Sequence, residues 1–407
     1  MRGTCGRGVT SLTLDTARAA ERYTHVPATP LELFRSRFPI LGRRVYVNSC
    51  SQGALSTDVQ AALGAFTTSW DTGGSPWDQW VGELERLRAL FAAAIGADVD
   101  EIAVMPNATT AAAAIATALP FDGTRREVLL GGFEFPTMAH LWQAQARRGA
   151  QIVWAGSPDD ASLPVERYET HLSERTSIVP VAHVCFRNGY RLDIPTLVAR
   201  AHAVGALVLL DDYQHTGTSP LDVHALGVDA LVTGTLKYLL GPPGISLMYV
   251  RRSLIEQFEP LVTGWFGRVE PFAFTLAPLD WARTARRFET GSPAVPTVYG
   301  AAAGLELLQT VGADVISGQI AHLVDRMVTR SRDRGLQVLT PDDPARRAAL
   351  VVLRATDAQA LVARLATHGV IASARGTGLR VSFHAYNNDA DVDAVLAALD
   401  AERALLA

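Results

Sequence analysis

Hydrophobic positions along the chain alternate between short continuous runs and longer stretches with helical spacing. The short runs, several of which lack any polar alternation, predict strands that are buried on both faces of a sheet. The predicted strands cover residues 45–48, 102–105, 127–130, 151–154, 177–181, 207–210, 230–232 and 245–250. The stretches between them predict helices, among them 57–70, 80–95, 108–118 and 137–148. This alternation predicts a large α/β domain whose sheet is mostly parallel, with right-handed crossovers.

The pattern changes after residue 293. Two long helical stretches, 298–310 and 315–334, come before short strands at Val338, 349–354 and 380–383. This pattern predicts a smaller C-terminal α+β domain. We therefore divide the chain into a weakly ordered leader (1–29), a large α/β domain with an N-terminal arm (30–292) and a small domain (293–407).

Composition narrows the class of protein. The 407 residues are 48% hydrophobic and 19% charged, which suits a large folded core and argues against a disordered chain. The net charge of −4 gives no overall basic field, so neither a nucleic acid nor an anionic membrane is an expected partner. The three cysteines show no paired spacing, which is typical of a reduced, cytoplasmic setting.

Membrane and secretion signals are not predicted either. The most apolar long stretch, 111–121, contains Thr117 and Pro120 and is far shorter than the roughly 20 residues of a span. The first twenty residues contain charged side chains and no continuous apolar region, so we expect no signal peptide.

Common catalytic motifs are missing from the sequence. It contains no GxxxxGK[ST] loop, no GxGxxG after a strand, no GxSxG turn and no HExxH pair. The sequence therefore does not predict a nucleotide-binding loop, a serine-hydrolase elbow or a metal hydrolase.

Two charged residues follow neighbouring predicted strands. Asp211 ends the apolar run 207–210, and an acid at the carboxyl end of a parallel strand faces the ligand crevice of an open α/β sheet. Lys237 lies between the strand 230–232 and a Gly-Pro-Pro-Gly turn at 241–244, where an amine can be desolvated and become nucleophilic.

Two further features suit anionic groups. Asn107 caps an Ala-rich helix that begins with Ala108, Thr109 and Thr110, and the free N–H groups at such a helix start suit a phosphate. Arg380 lies in a predicted strand, where its guanidinium suits a carboxylate. Taken together, a lysine, an acid and a phosphate-binding helix start on this scaffold indicate pyridoxal-phosphate chemistry.

From about Phe38 to the C-terminus the chain resembles the class V aminotransferase family of fold-type I pyridoxal-phosphate enzymes. That family includes cysteine desulfurases, kynureninases and isopenicillin N epimerases. The most specific parts of the resemblance are Asp211-x-x-Gln214, the lysine with its Gly-Pro-x-Gly turn, and the Arg-x-Ser…Tyr-Asn segment that begins at Arg380. The resemblance implies that Lys237 is the Schiff-base lysine, that Asp211 pairs with the pyridine nitrogen and that Gln214 contacts the phenolic oxygen. It further implies that Thr109 and Thr110, with Ala108, bind the phosphate and that Arg380 holds the substrate α-carboxylate.

The same resemblance assigns further positions. Phe135, in a Phe-Pro-Thr turn, is expected to stack on the cofactor, and Asn188 belongs to a cofactor-facing loop. Asn48 lies in a stretch that borders the substrate in kynureninases. Ser292, in Phe-Glu-Thr-Gly-Ser-Pro, is expected to reach the phosphate of a partner subunit, which implies a homodimer with shared active sites.

Three departures from the family pattern affect the expected reaction. The stretch 369–380, where desulfurases carry a nucleophilic cysteine, has none, which argues against a desulfurase. Leu236 precedes the lysine where relatives have His or Tyr, so Thr233 or Thr235 is expected to take the phosphate role. Tyr213 stands where relatives have a small residue, and its phenol either stacks on the cofactor, donates a proton or rotates away.

The resulting prediction is a pyridoxal-phosphate enzyme that acts on an L-amino acid, with Lys237 as the base. We favour a β-eliminating C–S lyase on a cysteine conjugate or its sulfoxide. An epimerase, a transaminase, a decarboxylating oxidative deaminase and a kynureninase-like hydrolase remain alternatives on the same scaffold. A cofactor-binding protein without turnover is the alternative from a different class.

Overall fold

The computed structural model describes residues 29–276 and 278–407. The predicted leader therefore lies outside the described residues, apart from Thr29, which caps the first helix. Among the described residues, no helix has both the length and the apolar character that crossing a bilayer requires.

The described residues form strands close to the predicted positions. The strands are β1 (Val45–Tyr46), β2 (Ile102–Met105), β3 (Glu127–Gly131), β4 (Gln151–Ala155), β5 (Thr176–Ala182), β6 (Leu207–Asp211), β7 (Ala230–Gly234), β8 (Ser246–Val250), β9 (Leu350–Arg354), β10 (Val370–Ile371), β11 (Ser373–Arg375) and β12 (Gly378–Ser382).

Helices connect most of these strands. The α-helices are α1 (Pro30–Ser36), α2 (Thr57–Gly73), α3 (Trp77–Ile95), α4 (Ala108–Ala118), α5 (Pro136–Ala144), α6 (Val165–Glu169), α7 (Ile194–Ala203), α8 (Val223–Leu226), α9 (Arg252–Ile255), α10 (Val295–Gln309), α11 (Ala313–Asp333), α12 (Ala358–Thr367) and α13 (Asp389–Ala401). The predicted helix 137–148 is in fact α5 followed by a short 3-10 turn, Gln145–Arg148, which ends at Gly149 in a left-handed conformation.

The central sheet has seven strands in the order β2-β8-β7-β6-β5-β3-β4. β8 runs antiparallel to both of its neighbours, and the other pairings are parallel. The predicted mostly parallel α/β sheet is therefore confirmed. Because β2 and β7 both oppose β8, β2 runs in the same direction as the parallel strands, and its carboxyl end lies at the same edge.

The apolar runs are continuous because both faces of this sheet are covered. Val208 and Leu210 of β6 belong to one hydrophobic cluster, and Leu209 between them belongs to another on the opposite face. Successive side chains of a strand point to opposite faces, so a strand buried on both faces has no polar alternation.

The N-terminal segment joins the C-terminal part of the chain. β1 does not enter the central sheet as its sequence position suggests but pairs in parallel with β10. Beyond β1, Asn48 bridges to Ser382 of β12, and the Cys50 N–H donates to the Ser382 hydroxyl at 2.9 Å. A three-stranded antiparallel sheet, β11-β12-β9, therefore lies beside the N-terminal segment. The domain boundaries of the sequence analysis stay a prediction.

Candidate active site

A cavity of about 360 Å³ lies at the carboxyl edge of the central sheet. The loops that follow β2, β3, β5, β6 and β7 reach it, because parallel strands of an open α/β sheet end at one edge. From these loops come Asn107, Ala108, Thr109, Phe133, Phe135, Phe186, Asp211, Tyr213, Gln214, Leu236 and Lys237. The N-terminal segment adds Cys50 and Ser51, and the β11–β12 hairpin adds Arg375 and Arg380.

Lys237 carries a partly buried amine on the cavity wall. Its Nζ has no hydrogen-bond or ion-pair partner among the described residues and lies 4.2 Å from the centroid of the Tyr213 ring. Burial lowers the pKa of Lys237 to about 8, although the charge of Asp211 acts in the opposite direction. An appreciable fraction of this amine is therefore neutral near physiological pH, as a nucleophile or a base requires.

The N-terminal segment packs directly on the backbone of this lysine. The Gly53 N–H donates to the Leu236 carbonyl at 2.7 Å. A Cβ at residue 53 would lie 2.5 Å from the Lys237 carbonyl oxygen, so only glycine allows this approach.

Asp211 is the last residue of β6 and borders the same cavity. Burial raises the pKa of Asp211 to about 6, although the Tyr213 N–H, which donates to Oδ1 at 3.1 Å, and the Lys237 charge both lower it. A carboxylate in this setting gains from a cationic partner, since its own hydrogen bonds do not fully offset its burial.

Asp212, the next residue, has the opposite environment. It is fully buried, and its Oδ1 lies 2.6 Å from the His183 Nδ1, while the Thr216 hydroxyl donates to its Oδ2. Burial alone would raise the pKa of Asp212, but interactions with His215 and His183 hold it below its usual range. The network anchors the turn that carries Asp211, Tyr213 and Gln214.

Asp212, His183 and His215 bring atoms of the kind that bind metal ions within 4.8 Å of one another. Two ligands of one tetrahedral metal ion are separated by about 3.3 Å. The 2.6 Å contact between His183 and Asp212 is shorter than that and has the length of a hydrogen bond.

Tyr213 lines the cavity rather than rotating away from it. Its ring lies against Gly234, where an added Cβ would be 1.9 Å from the phenol oxygen. Burial, with a smaller contribution from Asp211, raises the pKa of Tyr213 to about 12. The phenol is therefore protonated at neutral pH and is able to donate a proton.

The start of α4 also reaches the cavity. The Asn107 side-chain oxygen accepts hydrogen bonds from the backbone N–H and the hydroxyl of Thr110, as an N-cap does. Ala108 and Thr109 precede the first helical hydrogen bond, so their N–H groups have no acceptor in the helix. Thr110 itself, which was expected to bind the phosphate, does not line the cavity, and its N–H and hydroxyl both donate to the Asn107 side chain.

Arg380 is nearly fully buried in β12 and lines the cavity. Its guanidinium donates to the Phe186 carbonyl at 2.9 Å, to the Ser51 hydroxyl at 2.8 Å and to the Ser373 hydroxyl at 3.1 Å. Neutral acceptors thus orient the guanidinium, and within the described residues it forms no ion pair.

Gln214 and Phe135 both border the cavity. Gln214 donates from Nε2 to the Cys50 carbonyl at 3.0 Å, and its buried Oε1 has no partner among the described residues. Phe135 borders the cavity, with its ring centroid 6.0 Å from the Lys237 Nζ, and packs edge-on against Phe186.

Besides Thr110, three residues that were expected at the site of their own chain are not brought to the cavity. Thr235 is fully buried and its hydroxyl donates to the Pro242 carbonyl, so the hydroxyl faces the 241–244 turn instead of a phosphate. The polar atoms of Asn188 have partners elsewhere, since its Nδ2 donates to the carbonyl of Ala161, in a distant segment, and its Oδ1 accepts from the Tyr190 N–H. Asn48 bridges to β12, and its buried side-chain oxygen has no partner among the described residues. The geometry gives these three assignments no support.

Ser292 lies in a separate surface pocket with Phe266, Glu289 and Thr290. It is exposed and does not line the main cavity of its own chain. Its expected role at the site of a partner subunit stays a prediction.

Cys50 and Arg375 line the cavity and are not among the residues that the sequence analysis assigns to the site. Cys50 lies far in sequence from the stretch 369–380, yet its Sγ is 3.9 Å from the Ser373 hydroxyl, beside Arg380. Arg375 lies on the same face of the hairpin as Arg380. The spacing Ser373-x-Arg375 across a tight turn from Arg380 was the available signal, since alternate residues of a strand share a face.

Pyridoxal phosphate fits the chemistry of this cavity. The unused N–H groups at the start of α4 suit a phosphate, the Asp211 carboxylate suits a protonated pyridine nitrogen, and the unpartnered amine of Lys237 suits an aldehyde. The fold and these residues define a fold-type I pyridoxal-phosphate enzyme.

Comparison with known proteins gives the family. The family model for aminotransferase class-V matches residues 76–395, so the chain belongs to the class V aminotransferase family. It is 34% identical to the uncharacterized aminotransferase YcbU of Bacillus subtilis, over 89% of this chain and 94% of that protein. It is 28% identical to the kynureninase of Deinococcus radiodurans, over 85% of this chain and 86% of that protein.

Solved structures share the fold. An apo cysteine desulfurase from Thermococcus onnurineus superimposes with a TM-score of 0.83 at 22% identity, covering 91% of this chain and 97% of that one. The cystine C–S lyase C-DES, in complex with cysteine persulfide, gives a TM-score of 0.81 at 23% identity, covering 89% and 98%. The expected family, fold and cofactor are therefore confirmed.

Proposed function

We propose that this pyridoxal-phosphate enzyme is a C–S lyase that eliminates the β-substituent of a cysteine conjugate or its sulfoxide. The observation that carries the proposal is the placement of the Lys237 amine, the Asp211 carboxylate and the Arg380 guanidinium on one cavity. A bound L-amino acid with its α-carboxylate on Arg380 lies within the same cavity as a base. The class of enzyme is established by the family, and the reaction is the proposed part.

The residues of this chain have distinct roles in such an elimination. Pyridoxal phosphate, when bound, supplies an electron sink for the negative charge that develops at the α-carbon. Asp211 keeps the pyridine nitrogen protonated, and the Lys237 Nζ takes the proton from the α-carbon. The bond between the β-carbon and sulfur then breaks, and the sulfur group leaves with that electron pair, as a thiolate from a conjugate or as a sulfenate from a sulfoxide. The remaining three-carbon unit is hydrolysed to pyruvate and ammonia. The phenol of Tyr213, which lines the same cavity and is protonated at neutral pH, can supply the proton that the leaving group needs.

The other cavity walls suit a β-substituent. Phe133, Phe135 and Phe186 form an apolar side, and Arg187 stacks within 6 Å of two of these rings. Among the structural neighbours, a cystine C–S lyase supports the same type of reaction.

Cys50 supports a second candidate reaction. Its thiol borders the cavity beside Arg380, so a desulfurase-like transfer of sulfur to Cys50 is the competing function. The two reactions give different organic products: an elimination releases pyruvate, and a desulfuration releases alanine.

The test is product analysis of the cofactor-loaded enzyme with S-ethyl-L-cysteine, its sulfoxide and L-cysteine. We expect pyruvate and ammonia in equal amounts, and no detectable pyruvate from Lys237→Ala, which lacks the base. Alanine together with a persulfide on Cys50, found by mass spectrometry, would instead establish the desulfurase reaction. Recovery of the D-isomer, of an intact 2-oxo acid, or of aminobenzoate from kynurenine would point to the epimerase, transaminase or kynureninase alternatives.

We also propose that the enzyme is a homodimer in a reduced, cytoplasmic setting. Exposed apolar side chains concentrate between residues 261 and 279, close in sequence to Ser292, and large exposed apolar patches mark interfaces. The reduced setting is supported by Cys50 and Cys185, which are both buried as free thiols.

A further inference from the structure

Arg375 places a second guanidinium on the cavity that holds Arg380. It ends β11, and the register of the hairpin pairs Ser373 with Arg380 and Arg375 with Gly378. Ser373, Arg375 and Arg380 therefore share one face of the hairpin. The two arginines are diagonal neighbours across the two strands, a position in which Cα atoms are about 7–8 Å apart. Ala374 and Leu379, on the other face, are buried in the core, which fixes the direction in which the arginines point.

The two guanidinium groups have different partners. Arg380 is nearly fully buried and donates to Phe186, Ser51 and Ser373. Arg375 is exposed, and among the described residues its side chain donates only to the adjacent Ala374 carbonyl, at 2.7 Å. Within the described residues, neither guanidinium has a carboxylate at ion-pair distance. Burial and the neighbouring Arg380 charge both lower the pKa of Arg375, so an anion at this position would be favoured.

Each charged side chain of the cavity except Arg375 can be paired with a group of the cofactor or of an amino acid. Its described lining contains three cationic side chains, Lys237, Arg375 and Arg380, and one carboxyl group, that of Asp211. Bound cofactor uses Asp211 at its ring nitrogen, the α4 N-terminus at its phosphate and Lys237 at its aldehyde. The α-carboxylate of an amino acid uses Arg380. Arg375 is the one cation that this assignment leaves without a partner.

We infer that the substrate is an L-amino acid whose β-substituent ends in a carboxylate, and that Arg375 binds this second carboxylate. The inference rests on the proposed function and names its substrate class, an S-(carboxyalkyl)-L-cysteine. Arg380 then fixes the α-carboxylate, and Arg375, nearer to the mouth of the cavity, selects the side chain. A planar guanidinium offers paired donors to a carboxylate, which makes the interaction both stronger and more directional than a contact with a neutral amide.

Binding of unreactive analogues tests the inference without relying on turnover. The probes are (carboxymethylthio)propanoate and (carbamoylmethylthio)propanoate, which differ in one terminal group and lack the amino group needed for reaction. Calorimetry on the cofactor-loaded enzyme is expected to show the diacid binding about tenfold more tightly than the amide, as one hydrogen bond to a charged group implies. Arg375→Gln should reduce this preference to about one, and Arg375→Lys should retain part of it.

A matched variant controls for loss of a positive charge from this sheet. Arg354 on β9 is exposed, faces Gly378 across the strand pair and does not line the cavity. Arg354→Gln should therefore keep the preference for the diacid. The visible absorption band of bound cofactor reports whether each variant is folded and loaded.

The outcomes separate this inference from the proposed function. Equal binding of the two probes, failure of the diacid to bind, or a preference that survives Arg375→Gln would overturn the role of Arg375. Pyruvate formed from neutral cysteine conjugates in that case would leave the lyase proposal standing. A preference that depends on Arg375, in an enzyme that forms no pyruvate, would keep the acidic substrate class and reject the elimination.

Discussion

At the residue scale, Asp211 and Asp212 show how two adjacent carboxyl groups acquire opposite properties. Asp211 ends its strand facing the cavity, where one backbone N–H donates to it, and its pKa rises to about 6. Asp212 points into the protein, where His183 and Thr216 bind it, and its pKa falls. Because successive side chains of an extended backbone point in opposite directions, Asp211 faces the cavity and Asp212 faces the interior, where it supports the turn.

The contrast predicts opposite effects on the stability of the cofactor-free protein. The raised pKa of Asp211 means that its ionisation opposes folding. The free energy of unfolding therefore falls as the pH rises from about 4 and reaches its full decrease above about pH 7. Two pKa units correspond to about 3 kcal/mol, with roughly half of that present at pH 5. Asp211→Asn should therefore stabilise the cofactor-free protein, and more at pH 8 than at pH 5, while impairing catalysis.

Urea unfolding at the two pH values checks this prediction, with Asp212→Asn as the matched control. The lowered pKa of Asp212 means that its ionised form supports folding at both pH 5 and pH 8. Asp212→Asn should therefore destabilise the protein by a similar amount at each pH. Destabilisation by Asp211→Asn at pH 8 would contradict the inference that the buried, ionised carboxylate of Asp211 opposes folding.

At the element scale, the start of α4 is where local sequence and site chemistry coincide. Asn107 caps the helix and has an extended backbone, and the structure begins the helix at Ala108 as predicted. Proline is well tolerated at a first helical position and after an extended residue. One N–H group of the expected phosphate site can thus be removed without breaking the helix.

Ala108→Pro should weaken pyridoxal-phosphate binding about tenfold while leaving the fold intact, because one hydrogen bond to a charged group is lost. Fluorescence titration of the cofactor-free protein measures the affinity. Ala313→Pro, at the exposed first position of α11 and away from the cavity, is the control and should bind the cofactor as the wild type does. Unchanged affinity in Ala108→Pro would place the phosphate elsewhere.

At the scale of the whole molecule, one cavity collects residues from distant parts of the chain. Cys50 and Ser51 come from the N-terminal segment, Asp211 and Lys237 from the central sheet, and Arg380 from the C-terminal hairpin. The parallel pairing of β1 with β10 holds the two ends of the chain together around this cavity.

The proposed dimer leads to a prediction at the same scale. Phe274 and Leu276 are among the most exposed apolar side chains of the segment 261–279, so their replacement by aspartate should prevent association. Light scattering should show two chains for the wild type and one for Phe274→Asp/Leu276→Asp, and cofactor affinity should fall because Ser292 no longer reaches a second site. Val315→Asp, at an exposed position of α11, should remain dimeric. A monomeric wild type that binds cofactor tightly would contradict the shared site.

The sequence by itself determined the order of elements and the mostly parallel sheet, and it singled out Lys237, Asp211, Thr109 and Arg380 as candidate site residues. These features depend on periodicity, on strand ends and on motifs that are local in the chain. Even the cap at Asn107 follows from a few adjacent residues.

Only the tertiary structure decided which side chains meet. It brought Cys50 and Arg375 to the cavity and directed Thr235 and Asn188 into hydrogen bonds elsewhere. It also moved β1 from the expected central sheet to a pairing with β10. The physical reason is that these placements depend on contacts between segments that are far apart in the chain, and on where each hydroxyl or amide finds its buried partner, which no local pattern records.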